Sequence, residues 1–130
     1  PFLQVDFLDK IYKTVLSLHP DYISYYCNGI NCIKKPIGFF AEGFSVKKIK
    51  KLYDIMSDYD KEHVTPIFYE YDNNVIIKKL IPPLCILQNK YLRFTLDNIN
   101  DLKLYRLIFK KYPKDYYNYS DLINIVNTDK

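Results

Sequence analysis

The sequence is poor in glycine, histidine, cysteine and methionine and has no tryptophan: three Gly, two His, three Cys and one Met among 130 residues. Three isolated glycines cannot make a phosphate-gripping loop. Neither the P-loop pattern nor G-x-G-x-x-G occurs, so nothing in this chain alone could cradle a nucleoside triphosphate. No Ser or Cys stands with a matching His and acid, which leaves no case for a hydrolytic triad. Cys27 and Cys32 are spaced C-x4-C, but no second pair and no nearby His accompanies them, which argues against zinc. An odd cysteine count without a secretory signal points to reduced thiols in a cytoplasmic protein. Apolar runs reach about ten residues, against the roughly 20 that a spanning helix needs, so no membrane span is expected. The opening Pro1-Phe2-Leu3-Gln4-Val5 lacks a basic lead, a cleavage site and an initiator Met. The expectation is that the chain was cut from something longer.

What is present fits one globular core. With 48% hydrophobic residues, positions 1–130 are read as a single domain without an internal linker. The net charge of +4 has no long basic run behind it. Lys47, Lys48, Lys50 and Lys51 flank Ile49 and Leu52 on a predicted helix and read as its solvated face, so no nucleic-acid partner is expected. The 14 Tyr and 8 Phe scatter over every segment and are attributed to compositional bias.

Val5, Leu8, Ile11, Tyr12, Val15 and Leu16 recur at helical spacing over residues 5–18, and Pro20 stops the pattern. Tyr22 to Cys27 reads as a strand, and residues 28–31 as a turn or loop. Residues 37–44 read as extended. Ser45 caps a helix running to about Met56, with Ile49, Leu52, Tyr53 and Met56 inward. Residues 60–69 can form a helix that Pro66 must start or kink. Strands are predicted over 75–80 and 92–97. Asn98 caps a helix with Asp101 three residues on, Leu102, Tyr105, Ile108 and Phe109 form its stripe, and a short helix spans about 120–127. The alternation of strands and helices predicts an α/β fold.

Three segments could carry chemistry. Asp97 ends the last predicted strand before a helix, where α/β enzymes place ligands, and one such carboxylate can hold Mg²⁺; the plainer reading is a helix cap. Asp60-Lys61-Glu62-His63-Val64-Thr65-Pro66 gathers acid, imidazole and hydroxyl, though a lone His is commonly structural or solvated. Glu42 is an acid in the otherwise apolar run 36–44, and either faces solvent or meets a bound group.

Together these segments resemble a known family. Glu62-His63-Val64-Thr65-Pro66 matches an E-H-V-T-P motif. Leu92 to Leu102 matches L-R-W-T-L-D-T-P-E-D-L, with Phe94 for Trp and Asn98-Ile99-Asn100 for Thr-Pro-Glu. Pro36-x-Gly38-x-x-Ala41-Glu42-x-Phe44 matches P-x-G-x-x-V-E-x-F, and Pro1-Phe2-Leu3 resembles the stretch after a central nucleotide-site Asp. In order and spacing the chain resembles, over about residues 1–112, the C-terminal part of the spore coat polysaccharide biosynthesis cytidylyltransferases. These are relatives of the CMP-N-acylneuraminate and CMP-3-deoxy-manno-octulosonate synthetases. The resemblance implies the C-terminal part of a three-layer α/β/α nucleotide-diphospho-sugar transferase-like (Rossmann-like) fold. It implies CTP and a sugar as substrates, Mg²⁺ as cofactor held by Asp97, and Glu42, His63 and Thr65 lining the sugar side. It also implies a missing N-terminal nucleotide-binding half as partner, with a homodimer as an option. A non-catalytic interaction module derived from a transferase half is the alternative.

Overall fold

The computed structural model describes residues 2–89 and 91–128, so Pro1, the first residue of the Pro1-Phe2-Leu3 match, lies outside the described residues. Helix α1 (Val5–Leu18) opens the chain and ends where His19 turns left-handed before Pro20. Strand β1 (Tyr22–Cys27) forms a hairpin with the short β2 (Ile30–Asn31), followed by a single 3-10 turn over Cys32–Lys34. Strand β3 (Glu42–Phe44) lies antiparallel to β1, pairing Ser24 with Glu42. Helices α2 (Val46–Leu52), α3 (Asp58–His63) and α4 (Pro66–Tyr69) follow, and then β4 (Ile77–Leu80) runs parallel to β1. Helices α5 (Leu84–Gln88), α6 (Ile99–Lys111) and α7 (Tyr119–Thr128) complete a mixed α/β architecture with a small mixed sheet.

Strand β1 is the axis of the molecule. Its β-branched and aromatic residues suit a pleated strand buried on both faces. Successive side chains enter two separate apolar clusters. Ile23, Tyr25 and Cys27 join Phe7 and Ile11 of α1, Tyr105 and Ile108 of α6, and Leu122 of α7. Tyr22 instead joins Leu52, Met56, Ile67 and Phe68. The aromatic residues are the core material: Phe39 stacks on Phe94 at 5.3 Å between centroids, and Phe2 contacts Phe94, Tyr105 and Tyr117. Fully buried Gln4 ties the two ends of the chain together, donating through Nε2 to the carbonyls of Phe2 and Tyr117.

Several sequence expectations are corrected. Helix α1 buries Phe7 and Ile11 but leaves Val5, Leu8, Tyr12 and Leu16 exposed, because only one edge of its broad apolar face meets the sheet. Tyr53 faces outward, with Lys61 Nζ 5.2 Å above its ring, because the last turn of that helix tightens to 3-10. The helix expected over 60–69 is two helices. Between them Val64 takes φ 63° and ψ −50°, with the Thr65 amide donating to the His63 carbonyl at 2.7 Å. That is a γ-turn of the strained hand, rare for a β-branched residue. Residues 92–97 form no ladder. Their place is fixed by a Phe94 amide bond to the Pro36 carbonyl at 2.8 Å and by the Tyr105 hydroxyl, which donates to the Phe94 carbonyl. Extended conformation over 37–44 becomes a strand only at Glu42–Phe44, since Gly38 turns the backbone at φ 75°.

The reduced-thiol expectation is also overturned: Cys27 and Cys32 are disulfide-bonded. The hairpin register, Cys27 opposite Ile30, brings their Cα atoms to 5.7 Å, within bridging range. So short a loop contributes about 2 kcal/mol of chain-entropy stabilisation. Cys85 is free and exposed. Among the described residues no helix is long and apolar enough to cross a membrane.

Candidate functional site

Glu42, His63 and Thr65, which sequence reasoning drew from two separate motifs, line one cavity of about 360 Å³. Strand β3 delivers Glu42. The γ-turn at Val64 delivers the other two, by turning the chain sharply between α3 and α4. Capping fixes the start of α3: Ser57 accepts from the Asp60 amide, and the Asp60 carboxylate accepts from the Ser57 amide. Pro66 occupies the first turn of α4, where its missing N–H costs nothing.

The Glu42 carboxylate is held at both oxygens. Thr65 Oγ1 donates to Oε1 at 3.0 Å, and the Tyr22 hydroxyl donates to Oε2. Behind Tyr22 runs a buried polar relay. Asn31 Nδ2 donates to the Tyr22 oxygen at 2.7 Å, and Ser24 Oγ donates to Asn31 Oδ1 at 2.8 Å. Ser24 and Asn31 are both almost fully buried, so each link satisfies a group that would otherwise be costly to desolvate. Burial, and then the Glu42 carboxylate, push the Tyr22 phenol far above its ordinary value and keep it a proton donor. The same two causes, burial first, raise Tyr26.

The rest of the wall was not legible beforehand. Lys34 follows Asn31 on the 3-10 turn and pairs with Glu70 Oε1 at 2.6 Å, with its ammonium 4.9 Å from the Tyr69 ring centroid. Tyr59 packs on His63 at 4.5 Å between centroids. Asn31 looked like an ordinary turn residue, and Lys34 and Glu70 are 36 positions apart, so only the fold joins them. The cavity thus presents the fixed Glu42 carboxylate, a threonine, an exposed imidazole, a lysine paired with a second carboxylate, and two tyrosine rings. Such a mixture suits a polyhydroxylated ligand: carboxylates accept from hydroxyls, and aromatic faces cover C–H surfaces.

Asp97 is not part of this wall. Its side chain is 63% exposed, and its carboxylate lies 3.6 Å from Arg93. The acid that organises its motif is Asp101. Arg93 grips Asp101 with two bonds, Nε to Oδ1 at 2.9 Å and Nη2 to Oδ2 at 3.0 Å. The amides of Asp97 and Asn98 also donate to Asp101, while Asn98 Oδ1 accepts from the Asn100 and Asp101 amides. The Arg93 side chain, followed by the Asp97 amide, holds the Asp101 carboxyl below the usual carboxylate range. No group of three His, Cys, Asp or Glu suited to a metal occurs among the described residues. Asp97 stands beside a guanidinium, and the neighbouring acid is already engaged, so these residues do not by themselves fit Mg²⁺.

The lysine group is divided. Lys48 Nζ donates to the Asn74 carbonyl at 2.7 Å and stands 3.7 Å from Asp21, while Lys47, Lys50 and Lys51 are exposed.

No family model matches the chain, and no solved structure matches it. The uncharacterized protein MJ1063 of Methanocaldococcus jannaschii is 31% identical over 126 residues, which is 96% of this chain and 45% of that protein. The chain therefore spans a little under half the length of the curated relative it matches.

Proposed function

We propose that the chain is the C-terminal part of a cytidylyltransferase that transfers CMP from CTP to a sugar, acidic and nonulosonate-like or related, for surface polysaccharide synthesis. In this reading the fold belongs to a three-layer α/β/α nucleotide-diphospho-sugar transferase-like domain whose nucleotide-binding half lies elsewhere. A cytoplasmic location and a homodimer belong to the same proposal. The observation that carries it is the Thr65–Glu42 hydrogen bond of 3.0 Å, which joins two motifs of the resemblance in one cavity with His63.

The chain's own residues have a definable task in that reaction. Held by Tyr22 and Thr65, Glu42 is oriented before the ligand arrives and serves as a fixed acceptor for a sugar hydroxyl. Lys34, paired with Glu70, and the imidazole of His63 add hydrogen-bonding groups at the same wall, and Tyr59 and Tyr69 bound it with aromatic surface. Catalysis by transfer at phosphorus relies on positioning and charge neutralisation, and positioning of the sugar is the contribution such a wall makes.

The test is pyrophosphate release from CTP by the full-length protein across a panel of acidic and neutral sugars. Release that depends on one sugar class is expected. Glu42→Gln should lower kcat/KM about 10- to 100-fold, the worth of one charge-assisted hydrogen bond. Calorimetry on the 130-residue segment alone should show weak CTP binding or none. Micromolar CTP binding by the segment would mean that the nucleotide site is misplaced in this reading, and no release by the full-length protein with any sugar overturns it and favours a non-catalytic module.

A further inference from the structure

We propose that the Cys27–Cys32 disulfide is a redox-operated clamp on the candidate site, opened by a small dithiol that reaches Cys27 through a second cavity. The inference rests on where the bond sits and does not depend on which ligand the site takes.

The bond encloses the residues that connect the hairpin to the site. Asn31, immediately before Cys32, is the pivot of the relay that ends on Glu42. The same Asn31 Oδ1 accepts from the Ile33 amide at 3.2 Å and so caps the 3-10 turn Cys32–Lys34. Ile33 and Lys34 then project from that turn into the cavity wall. The β2 strand anchoring this turn is only two residues long, too short to hold register unaided. A covalent tie to the end of β1 therefore acts with the hydrogen bonds of Asn31 to fix the turn that carries Lys34.

The two sulfurs are buried, Cys27 at 3% and Cys32 at 2% exposure, which would normally protect the bond. Cys27, however, lines a separate cavity of about 320 Å³ with Lys35, Ile37, Ile86 and Leu92. That volume admits a small dithiol to the cavity that Cys27 lines. Reduction is a two-electron step. The thiolate attacks a cysteine sulfur and the Cys27–Cys32 bond breaks. The second thiol of the reagent then resolves the mixed disulfide. Two cysteine thiols are left, each having gained a proton, and the dithiol becomes a cyclic disulfide. Buried thiols behave as small apolar groups, so the surrounding core tolerates the reduced state.

The test compares the oxidised and dithiothreitol-reduced chain without denaturant. Iodoacetamide mass labelling, done after dithiothreitol is removed and the sample is quenched into denaturant, should rise from one cysteine, Cys85, to three. Amide hydrogen exchange should accelerate about tenfold or more at Ile33 and Lys35 while the middle of α6 changes less than about twofold. Reoxidation should reverse it. A Cys27→Ala, Cys32→Ala chain should match the reduced protein and ignore dithiothreitol. Resistance of the bond to dithiothreitol in the native chain overturns the proposal. So does unchanged exchange at Ile33 and Lys35, equal acceleration throughout α6, or a dithiothreitol response in the double variant.

Discussion

Gly38 lies with its Cα facing the carbonyl of Phe94, so close that a β-carbon on Gly38 would fall 2.0 Å from the Phe94 oxygen. With the Pro36–Phe94 hydrogen bond, this contact joins the P-x-G segment to the segment before α6. Neither backbone can yield, and φ at Gly38 is 75°, so Gly38→Ala should cost about 3 kcal/mol or more in urea melts. Gly29, at φ 79° with open space around it, is the control: Gly29→Ala should cost only about 1–2 kcal/mol.

The two acids of the Leu92–Leu102 segment should separate cleanly. Asp101→Asn removes the two-pronged Arg93 pair and should lower the melting temperature, whereas exposed Asp97→Asn should alter stability by less than about 0.5 kcal/mol. Because the Asp101 pKa is depressed on folding, its contribution is present above the unfolded-state value near 4 and is lost as pH falls below it. Melting curves of both variants at neutral and acid pH check this. If turnover of the full-length protein collapses in a stable Asp97→Asn variant, a metal-binding role returns to Asp97.

Thr65→Val keeps the shape of the side chain but leaves Glu42 Oε1 without its donor. Thr65 is 8% exposed, so the change should cost about 1–3 kcal/mol in denaturant melts. Thr65→Ser should recover most of that loss.

Val64→Gly should be unusually well tolerated. Relief of the γ-turn offsets the lost side chain, and stability should stay within about 1 kcal/mol of the wild type. Urea midpoints provide the measurement.

Raised tyrosine pKa values predict loss of stability in alkali. Burial pushes Tyr25 and Tyr105 up to about 12, and Tyr22 higher still. The folded chain retains these protons where the unfolded chain releases them, so stability is complete below about pH 10 and falls as pH rises further. Absorbance titration should show exposed tyrosines ionising first and a late group ionising together with loss of far-UV circular dichroism.

The elements with a strong local signal were legible in the sequence. Helix α1, strand β1, the Ser45 cap and the Asn98–Asp101 capping box stand where periodicity and cap chemistry put them. Expectations failed where a distant partner decides. Residues 92–97 have strand-like composition, but no ladder is offered to them. The disulfide depends on a hairpin register that a cysteine count cannot reveal. Glu42, His63 and Thr65 could be named beforehand, whereas Tyr22, Asn31, Lys34 and Glu70 reach the same wall only through folding.

The parallel pairing of β1 with β4 matters for assembly during synthesis. Tyr22 meets Ile77, and the neighbouring Asp21 and Ile76 are 55 positions apart. β2 and β3 can dock on β1 as soon as residues 22–44 are available, but the pairing of Tyr22–Tyr25 with β4 must wait for residues 77–80. Until then a strongly apolar strand presents an unpaired row of amides and carbonyls, a template for other chains. Closing so large a loop is slow compared with forming a hairpin. The central strand is therefore the segment most exposed to aggregation while the chain is being made, and yield from expression should respond to chaperone supply.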